Sequence, residues 1–160
     1  HSVGLVLGFL NAQSVGNKSA AINNCILDNH IDIFAVVETW HDAVNSPSLI
    51  ACAPPNYKYI EKARARTDIA TVTTNCNHGG ICVFFRNIFR VKIITLPDYK
   101  CMEVLALSVS SSVLTTALIA VYRPGSIAVT KLFFDEFADV LERFASFNNF
   151  IFSSSETYPL

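Results

Sequence analysis

The chain has 160 residues, of which 51% are hydrophobic and 16% are charged, and its formal net charge at pH 7 is −1. The high apolar content excludes a disordered chain and predicts a sizeable core, and the length fits one domain or part of one. The near-neutral charge gives no support to a nucleic-acid partner, because free-standing nucleic-acid binders are usually basic, but it does not exclude a local basic patch.

The first part of the chain predicts a strand, a helix and a second strand. Residues 4–10 form an apolar run typical of a buried strand, and residues 11–16 predict a loop because they are mostly polar and end in glycine. Residues 18–29 carry apolar side chains at helical spacing, and residues 33–37 are a short β-branched run. This order predicts a βαβ-like opening, in which the two strands need not be neighbours.

The middle of the chain predicts strands separated by loops. Residues 43–55 contain three prolines and predict a loop, and residues 61–77 predict an exposed loop. The strand candidates are 56–60, 81–85 after the Gly79-Gly80 turn, 91–96, 102–109 and 113–121. The long uncharged stretch 104–122 has serines in its middle, so it predicts two strands around a turn rather than a membrane-spanning helix.

The last part of the chain predicts an amphipathic helix and a final strand. Thr130 is a candidate N-cap, and the apolar face of the helix comprises Phe133, Phe137, Val140, Leu141 and Phe144. Residues 150–152 predict the start of a strand that leads into a serine-rich end. The elements together predict an α+β protein with two packed β-sheets flanked by helices.

Polar residues directly after buried strands are candidates for a functional site. Glu38 is the strongest, because a carboxylate at the end of an apolar run suits Mg²⁺, which binds one or two carboxylates together with waters and substrate phosphates. An exposed or helix-capping glutamate is the alternative. Asn11 alone is typical of a turn. Tyr122 could hydrogen-bond a phosphate oxygen and Arg123 could pair with one, although Tyr-Arg-Pro also fits an ordinary strand end.

The cysteines and histidines predict no further chemistry. The cysteine count of five is odd and the spacings form no framework, which predicts reduced thiols in an intracellular protein, nuclear or cytoplasmic. The cluster Cys76-x-His78-x3-Cys82 lacks the spacing of a zinc site, and Cys82 is predicted to lie inside a strand. No histidine has a nucleophile partner that the sequence can place, so a Cys/His hydrolase is unsupported.

Several short segments, in order, resemble the endonuclease domains of jockey-like and CR1-like non-LTR retrotransposons, which belong to the endonuclease/exonuclease/phosphatase superfamily. They are Leu10-Asn11-Ala12-Gln13-Ser14-Val15 followed by Asn17-Lys18, Asp32-Ile33, Val37-Glu38-Thr39-Trp40, Gly79-Gly80-Ile81 and Val121-Tyr122-Arg123-Pro124. The helix at 131–144 stands where the family has one. The resemblance runs from Leu10 to about Phe152 and is most specific in Glu-Thr-Trp and Tyr-Arg-Pro.

The resemblance implies a four-layer α/β sandwich that cleaves a DNA phosphodiester with Mg²⁺ and nicks target DNA to prime reverse transcription. By match, Glu38 would bind the metal and Asn11 would position the phosphate or the attacking water. Tyr122 would contact the scissile phosphate and Arg123 the DNA backbone. The metal would act as Lewis acid and template. DNA is then the expected partner, with no membrane and no small-molecule cofactor.

The sequence departs from the family after Phe152. Ser153-Ser154-Ser155-Glu156 stands in place of a Gly-Asp-Phe-Asn segment, Glu156 is out of register with the missing Asp, and no later Ser-Asp-His segment occurs; Gln13 also replaces the usual arginine. Residues 1–152 are therefore interpreted as a partial domain, incomplete at its C-terminus, and 153–160 as a divergent tail. A general base and a histidine each contribute ~10² to 10⁴ in rate, so the fragment is expected to be inactive. Its open core predicts marginal stability.

Two other functions stay open. One is a non-catalytic remnant that binds nucleic acid or a protein. The other is a phosphoesterase of the same superfamily acting on esters such as inositol phosphates, which the retrotransposon-type motifs disfavour.

Overall fold

The computed structural model describes residues 4–64, 78–113, 115–147 and 150–156. Within these ranges the chain forms three helices and eight strands, and it divides into two compact units, His1–Asn87 and Ile88–Leu160. Each unit contains one four-stranded sheet. The predicted α+β class with two sheets and accompanying helices is confirmed.

The first unit consists of four strands and two helices. They are β1 (Leu7–Asn11), α1 (Ser19–Asp28), β2 (Ile33–Val37), α2 (Pro47–Cys52), β3 (Tyr57–Lys62) and β4 (Ile81–Arg86). The strand order in the sheet is β1-β2-β4-β3. β1 pairs with β2 in parallel, whereas β4 is antiparallel to both β2 and β3. The predicted βαβ opening is confirmed, and its two strands are neighbours.

Both helices of this unit pack on one face of its sheet. The fully buried contacts there come from Ile22 and Ile26 of α1, Leu49 and Cys52 of α2, and Phe34, Val36, Cys82 and Phe84 of the strands. The opposite face is buried as well, through Ile33, Ala35, Val37, Ile81 and Val83. Burial of both faces explains why β2 and β4 are continuous apolar runs instead of alternating ones.

Helix α2 lies inside the stretch predicted to be a loop. Its first residue is Pro47, and Ser46 occupies the N-cap position. Proline is well suited to the first helical position, because the amide hydrogen it lacks has no partner there. The prediction was wrong because it treated Pro47 only as a helix breaker. Residues 65–77 of the predicted exposed loop lie outside the described residues, and Asn11 closes β1 instead of opening a loop.

The second unit consists of four strands and one helix. They are β5 (Arg90–Ile94), β6 (Glu103–Ser110), β7 (Thr115–Arg123), α3 (Lys131–Phe144) and β8 (Phe150–Glu156). The strand order is β5-β6-β7-β8, with β7 and β8 parallel and the other pairs antiparallel. No helix in the described part of the chain is long and apolar enough to cross a membrane. The uncharged stretch 104–122 forms most of β6 and β7, as predicted.

Helix α3 matches its prediction and covers one face of the second sheet. Val140 and Phe144 are buried against β6 and β7, and Phe133 and Phe137 pack partly buried beside them. Leu141 is 40% exposed, so it lies outside the contact that α3 buries against the sheet. The stripe of apolar residues on α3 is wider than the surface that α3 buries against the sheet. Leu141 lies at the edge of that stripe.

Strand β8 continues to Glu156, beyond its predicted start at 150–152. Its register beside β7 is parallel, with Ser155 opposite Tyr122 and Glu156 opposite Arg123. The division into a partial domain 1–152 and a tail 153–160 stays a prediction.

Candidate active site

The carboxyl ends of β1 and β2 bring together two residues that lie 27 positions apart in the sequence. Because the strands are parallel and in register from Leu7↔Ile33 to Asn11↔Val37, both end at the same edge of the sheet. Asn11 is the last residue of β1, and Glu38 directly follows β2. The Asn11 Nδ2 donates a hydrogen bond to Glu38 Oε1 over 3.3 Å. Glu38 is only 5% exposed, so its charge needs such polar partners.

Backbone hydrogen bonds continue beyond the ends of both strands. The amide nitrogens of Ala12, Ser14 and Val15 donate to the carbonyls of residues 37, 38 and 39, at 2.9, 2.8 and 3.1 Å. The ammonium of Lys18 donates to the carbonyls of Ala12 and Gln13. The loop after β1 is therefore tied to the segment after β2, which fixes Asn11 and Glu38 relative to each other.

Several residues around Glu38 have a positive backbone φ, in the left-handed region. The residues with positive φ at this edge of the sheet are Gln13 (46°), Ser14 (81°), Glu38 (53°), Trp40 (55°), Gly79 (88°) and Gly80 (86°). Each non-glycine residue there costs about 1–3 kcal/mol and persists only when surrounding contacts hold it. Such strain is typical of functional sites, which favours a functional role for this edge over an ordinary turn.

Gly79 and Gly80 form the wall opposite the segment that follows Glu38. The Thr39 amide donates to the Gly80 carbonyl (3.3 Å), and the Trp40 amide donates to the Gly79 carbonyl (2.8 Å). A Cβ on Gly80 would lie 2.7 Å from Thr39 Oγ1 and 3.1 Å from His41 Nδ1. Gly79 and Gly80 therefore do more than form the turn before β4. Because they lack side chains, residues 39–41 can approach them closely.

A chain of buried polar side chains begins at Thr39, the residue after Glu38. Thr39 Oγ1 is 2.6 Å from His41 Nδ1, and His41 Nε2 pairs with the Glu61 carboxylate. Thr39 is fully buried and His41 is 3% exposed. His41 and Glu61 were not predicted as partners, because they meet only through the sheet. β2 and β3 both flank β4, so Val37 and Lys62 share Ile81 as neighbour.

Tyr122 and Arg123 lie in the second unit, at the end of β7. Both are buried, at 4% and 7% exposure. The Arg123 Nη1 donates to the Ile127 carbonyl over 2.5 Å, and the guanidinium carbon lies 5.8 Å from the centre of the Phe133 ring. Within its unit Arg123 therefore stabilises the turn after β7 and packs against α3. Its predicted contact with DNA, and that of Tyr122 with a phosphate, stay predictions.

Glu38 supplies a carboxylate, the kind of ligand that a hard metal ion prefers. Among the described residues no group of three or more histidine, cysteine, aspartate and glutamate side chains could enclose a metal. One carboxylate suits Mg²⁺, which keeps waters and binds substrate phosphates instead of requiring an all-protein cage. The Glu38 carboxylate is therefore chemically suited to a hard divalent ion.

The cysteines give no support to a zinc site. Cys82 is buried inside β4 as predicted, His78 is exposed, and Cys76 lies outside the described residues. Burial raises the pKa of the Cys82 thiol well above its ordinary value, which opposes the thiolate that zinc requires. Cys25, Cys52, Cys82 and Cys101 are all free thiols.

Solved structures match this chain over most of its length, whereas no family model and no curated protein matches it. An endonuclease/exonuclease/phosphatase family protein from Bacteroides thetaiotaomicron matches 94% of this chain at 13% identity and a TM-score of 0.57. The 3′ phosphatase NExo from Neisseria, bound to a product DNA hairpin, matches 94% at 16% identity and 0.61. The endonuclease domain of TRAS1, a telomere-specific non-LTR retrotransposon, matches 91% at 11% identity and 0.57.

The chain has the endonuclease/exonuclease/phosphatase fold. The resemblance seen in the sequence is thereby confirmed at the level of the fold. The chain spans 62%, 57% and 56% of the length of these three structures, respectively. Within the endonuclease/exonuclease/phosphatase fold, the Asn11–Glu38 pair is the best-defined candidate site of the first unit.

Proposed function

We propose that these 160 residues are part of a Mg²⁺-dependent phosphodiesterase, a DNA endonuclease of the non-LTR retrotransposon type. The Asn11–Glu38 pair carries the proposal, because it places a buried carboxylate at the ends of two parallel strands. The strained backbone around Glu38 supports a functional role for this edge. The likeness to the TRAS1 endonuclease domain and to DNA-bound NExo favours DNA as the substrate.

In this proposal Glu38 holds the metal and Asn11 holds Glu38. A bound Mg²⁺ would polarise the scissile phosphate as a Lewis acid. The Asn11 amide keeps the Glu38 carboxylate oriented and positions the phosphate or the attacking water. Tyr122 donates a hydrogen bond to a phosphate oxygen, and Arg123 lies against the DNA backbone while it holds the turn at Ile127.

The 160 residues alone are proposed to bind metal and DNA without efficient cleavage. The family resemblance requires an aspartate and a histidine from segments that the 160 residues do not contain. Each such group contributes ~10² to 10⁴ in rate, so their joint absence should leave nicking close to background. Nicking of supercoiled plasmid with Mg²⁺ that disappears in Glu38→Gln would contradict this part of the proposal.

Metal binding tests the site independently of catalysis. Titration with Mn²⁺, a spectroscopically visible substitute for Mg²⁺, should reveal one site in the unmodified chain. Glu38→Gln should weaken that site at least about tenfold, since it removes the charged ligand. The matched control is Glu142→Gln, which changes an exposed glutamate of α3 and should leave the affinity unaltered. Equal affinity in Glu38→Gln and the unmodified chain would exclude Glu38 as the ligand.

A phosphatase of the same fold is the second candidate, because NExo is a 3′ phosphatase. DNA with a 3′-phosphate end separates the two functions. Glu38-dependent release of inorganic phosphate from that end, without nicking of closed circular DNA, would favour the phosphatase.

A further inference from the structure

Trp40 is the single tryptophan of the chain and stands two residues after Glu38. Its ring is only partly buried, and its centre lies 4.1 Å from that of the exposed His78 imidazole, at an interplanar angle of 46°. Tryptophan side chains are highly buried on average. Here the two rings instead form a partly exposed aromatic pair, whose tryptophan stands two residues after the candidate metal ligand.

The backbone fixes this pair in place. Trp40 has a φ of +55°, and its amide donates to the Gly79 carbonyl, the residue next to His78. The preceding Thr39 is bonded to Gly80 in the same way and is fully buried. The backbone that carries the Trp40 ring is therefore ordered before a ligand arrives, and a preformed surface binds at lower entropic cost.

We propose that Trp40 and His78 form a stacking site for an unpaired nucleobase of the DNA strand whose phosphate lies at Glu38. This inference rests on the proposed function and adds the state of the substrate at that position. Aromatic faces bind bases by stacking with little sequence preference. The Cα atoms of Glu38 and Trp40 are at most about 7.6 Å apart, so one strand can reach both sites.

The base must be unpaired because both faces of a base inside a duplex are already covered by its neighbours. A single-stranded or extruded nucleotide has a free face, and enzymes that extrude a base read it by stacking on aromatic side chains. The site therefore selects a locally opened or single-stranded substrate over an intact duplex.

The test compares two fluorescein-labelled oligonucleotides of equal length, an eight-nucleotide oligo-dT and a fully abasic one with the same phosphates. Because Trp40 is the only tryptophan, its emission reports this site alone. Unlabelled oligo-dT should quench the emission of Trp40, and the abasic strand should not. By anisotropy, Trp40→Leu should weaken oligo-dT binding about tenfold and leave abasic binding unchanged.

Three variants guard against a folding artefact. His78→Ala changes an exposed side chain and should weaken oligo-dT binding in the same selective way. Trp40→Phe should recover part of the affinity, because a ring is restored. Phe134→Leu, at an exposed aromatic residue of α3, should bind both strands like the unmodified chain.

An equal loss for both oligonucleotides, or no loss for either, in Trp40→Leu and His78→Ala would overturn the stacking site. If the unmodified chain binds neither strand, the stacking site also fails, whereas Mn²⁺ binding at Glu38 still decides the proposed function. Selective loss in the two ring variants, with intact Mn²⁺ affinity, would support it.

Discussion

Glu38 combines three properties that rarely coincide in one residue. Its carboxylate is nearly buried, its φ is positive, and it follows directly on a central strand. Asn11 supplies a hydrogen bond across the sheet, and the backbone bonds of residues 12–15 keep the two together. The cost of the strained conformation is thus offset by contacts that surround the residue, which is the arrangement expected of a preorganised ligand.

Gly80→Ala tests how closely the Glu-Thr-Trp segment approaches the start of β4. The alanine would have to keep the φ of +86° that Gly80 adopts. Its Cβ would lie 2.7 Å from Thr39 Oγ1. We expect a loss of about 1–3 kcal/mol in the free energy of unfolding by urea. Gly4→Ala is the control, because nothing lies within 4 Å of its Cβ position. Equal stability of the two variants would show that Thr39 does not pack tightly against Gly80.

His41→Leu tests the buried polar chain. The substitution leaves the buried Thr39 hydroxyl and the Glu61 carboxylate without the imidazole between them. Each polar group deprived of its partner costs about 1–3 kcal/mol, so urea unfolding should shift clearly to lower concentration. His30→Asn, at an exposed residue whose φ of +51° asparagine tolerates, should change little. An unchanged midpoint for His41→Leu would argue that the chain contributes no net stability.

The elements are held by contacts that the sequence pattern reveals only in part. Strand β2 and helix α3 occupy their predicted residues, because a five-residue β-branched run is too short for an ordinary helix and a long amphipathic repeat fits the helical period. Helix α2 has six residues and begins at a proline, so its sequence is too short to show apolar residues recurring at helical spacing. The pairing of His41 with Glu61 depends on the position of β3 in the sheet, which no local spacing encodes.

The loop before β6 is fastened to α3 by side chains. The Glu136 carboxylate accepts hydrogen bonds from the Lys100 and Cys101 amides, both at 2.8 Å. The Tyr99 hydroxyl donates to Asp139, which also accepts from Arg143, both at 2.7 Å. Burial and then the hydrogen bond and charge of Asp139 raise the pKa of Tyr99 to about 12.

This raised pKa predicts an alkaline loss of stability. The folded state holds the Tyr99 proton more tightly than the unfolded chain, whose tyrosine titrates near 10.0. The contribution is fully present below pH 10 and is lost as the pH rises through about 12. The free energy of unfolding should therefore fall across this window, and Tyr99→Phe should remove that part of the fall. A fall of the same size in Tyr99→Phe would contradict the assignment.

For the whole molecule, the sequence motifs predicted the fold although identity to each of the three solved structures is at most 16%. They include strand-end residues such as Asn11 and Glu38, which the parallel pairing of β1 with β2 places at one edge of the sheet. Their roles could not be derived from spacing alone, since the register of β1 with β2 is what brings them within hydrogen-bonding distance. The Trp40–His78 pair escaped prediction for the same reason, because it depends on the pairing of residue 40 with Gly79.

Paramagnetic broadening of backbone and side-chain amide signals by Mn²⁺ tests the central claim most directly, because it locates the metal in the intact chain without requiring catalysis. The broadening should be strongest for the Asn11 side-chain amide and for the amides of residues 38–39. It should be much weaker at Ile33 and Arg86, at the opposite end of the same sheet. Strongest broadening at that opposite end, or the same pattern in Glu38→Gln, would contradict a metal site built on Glu38.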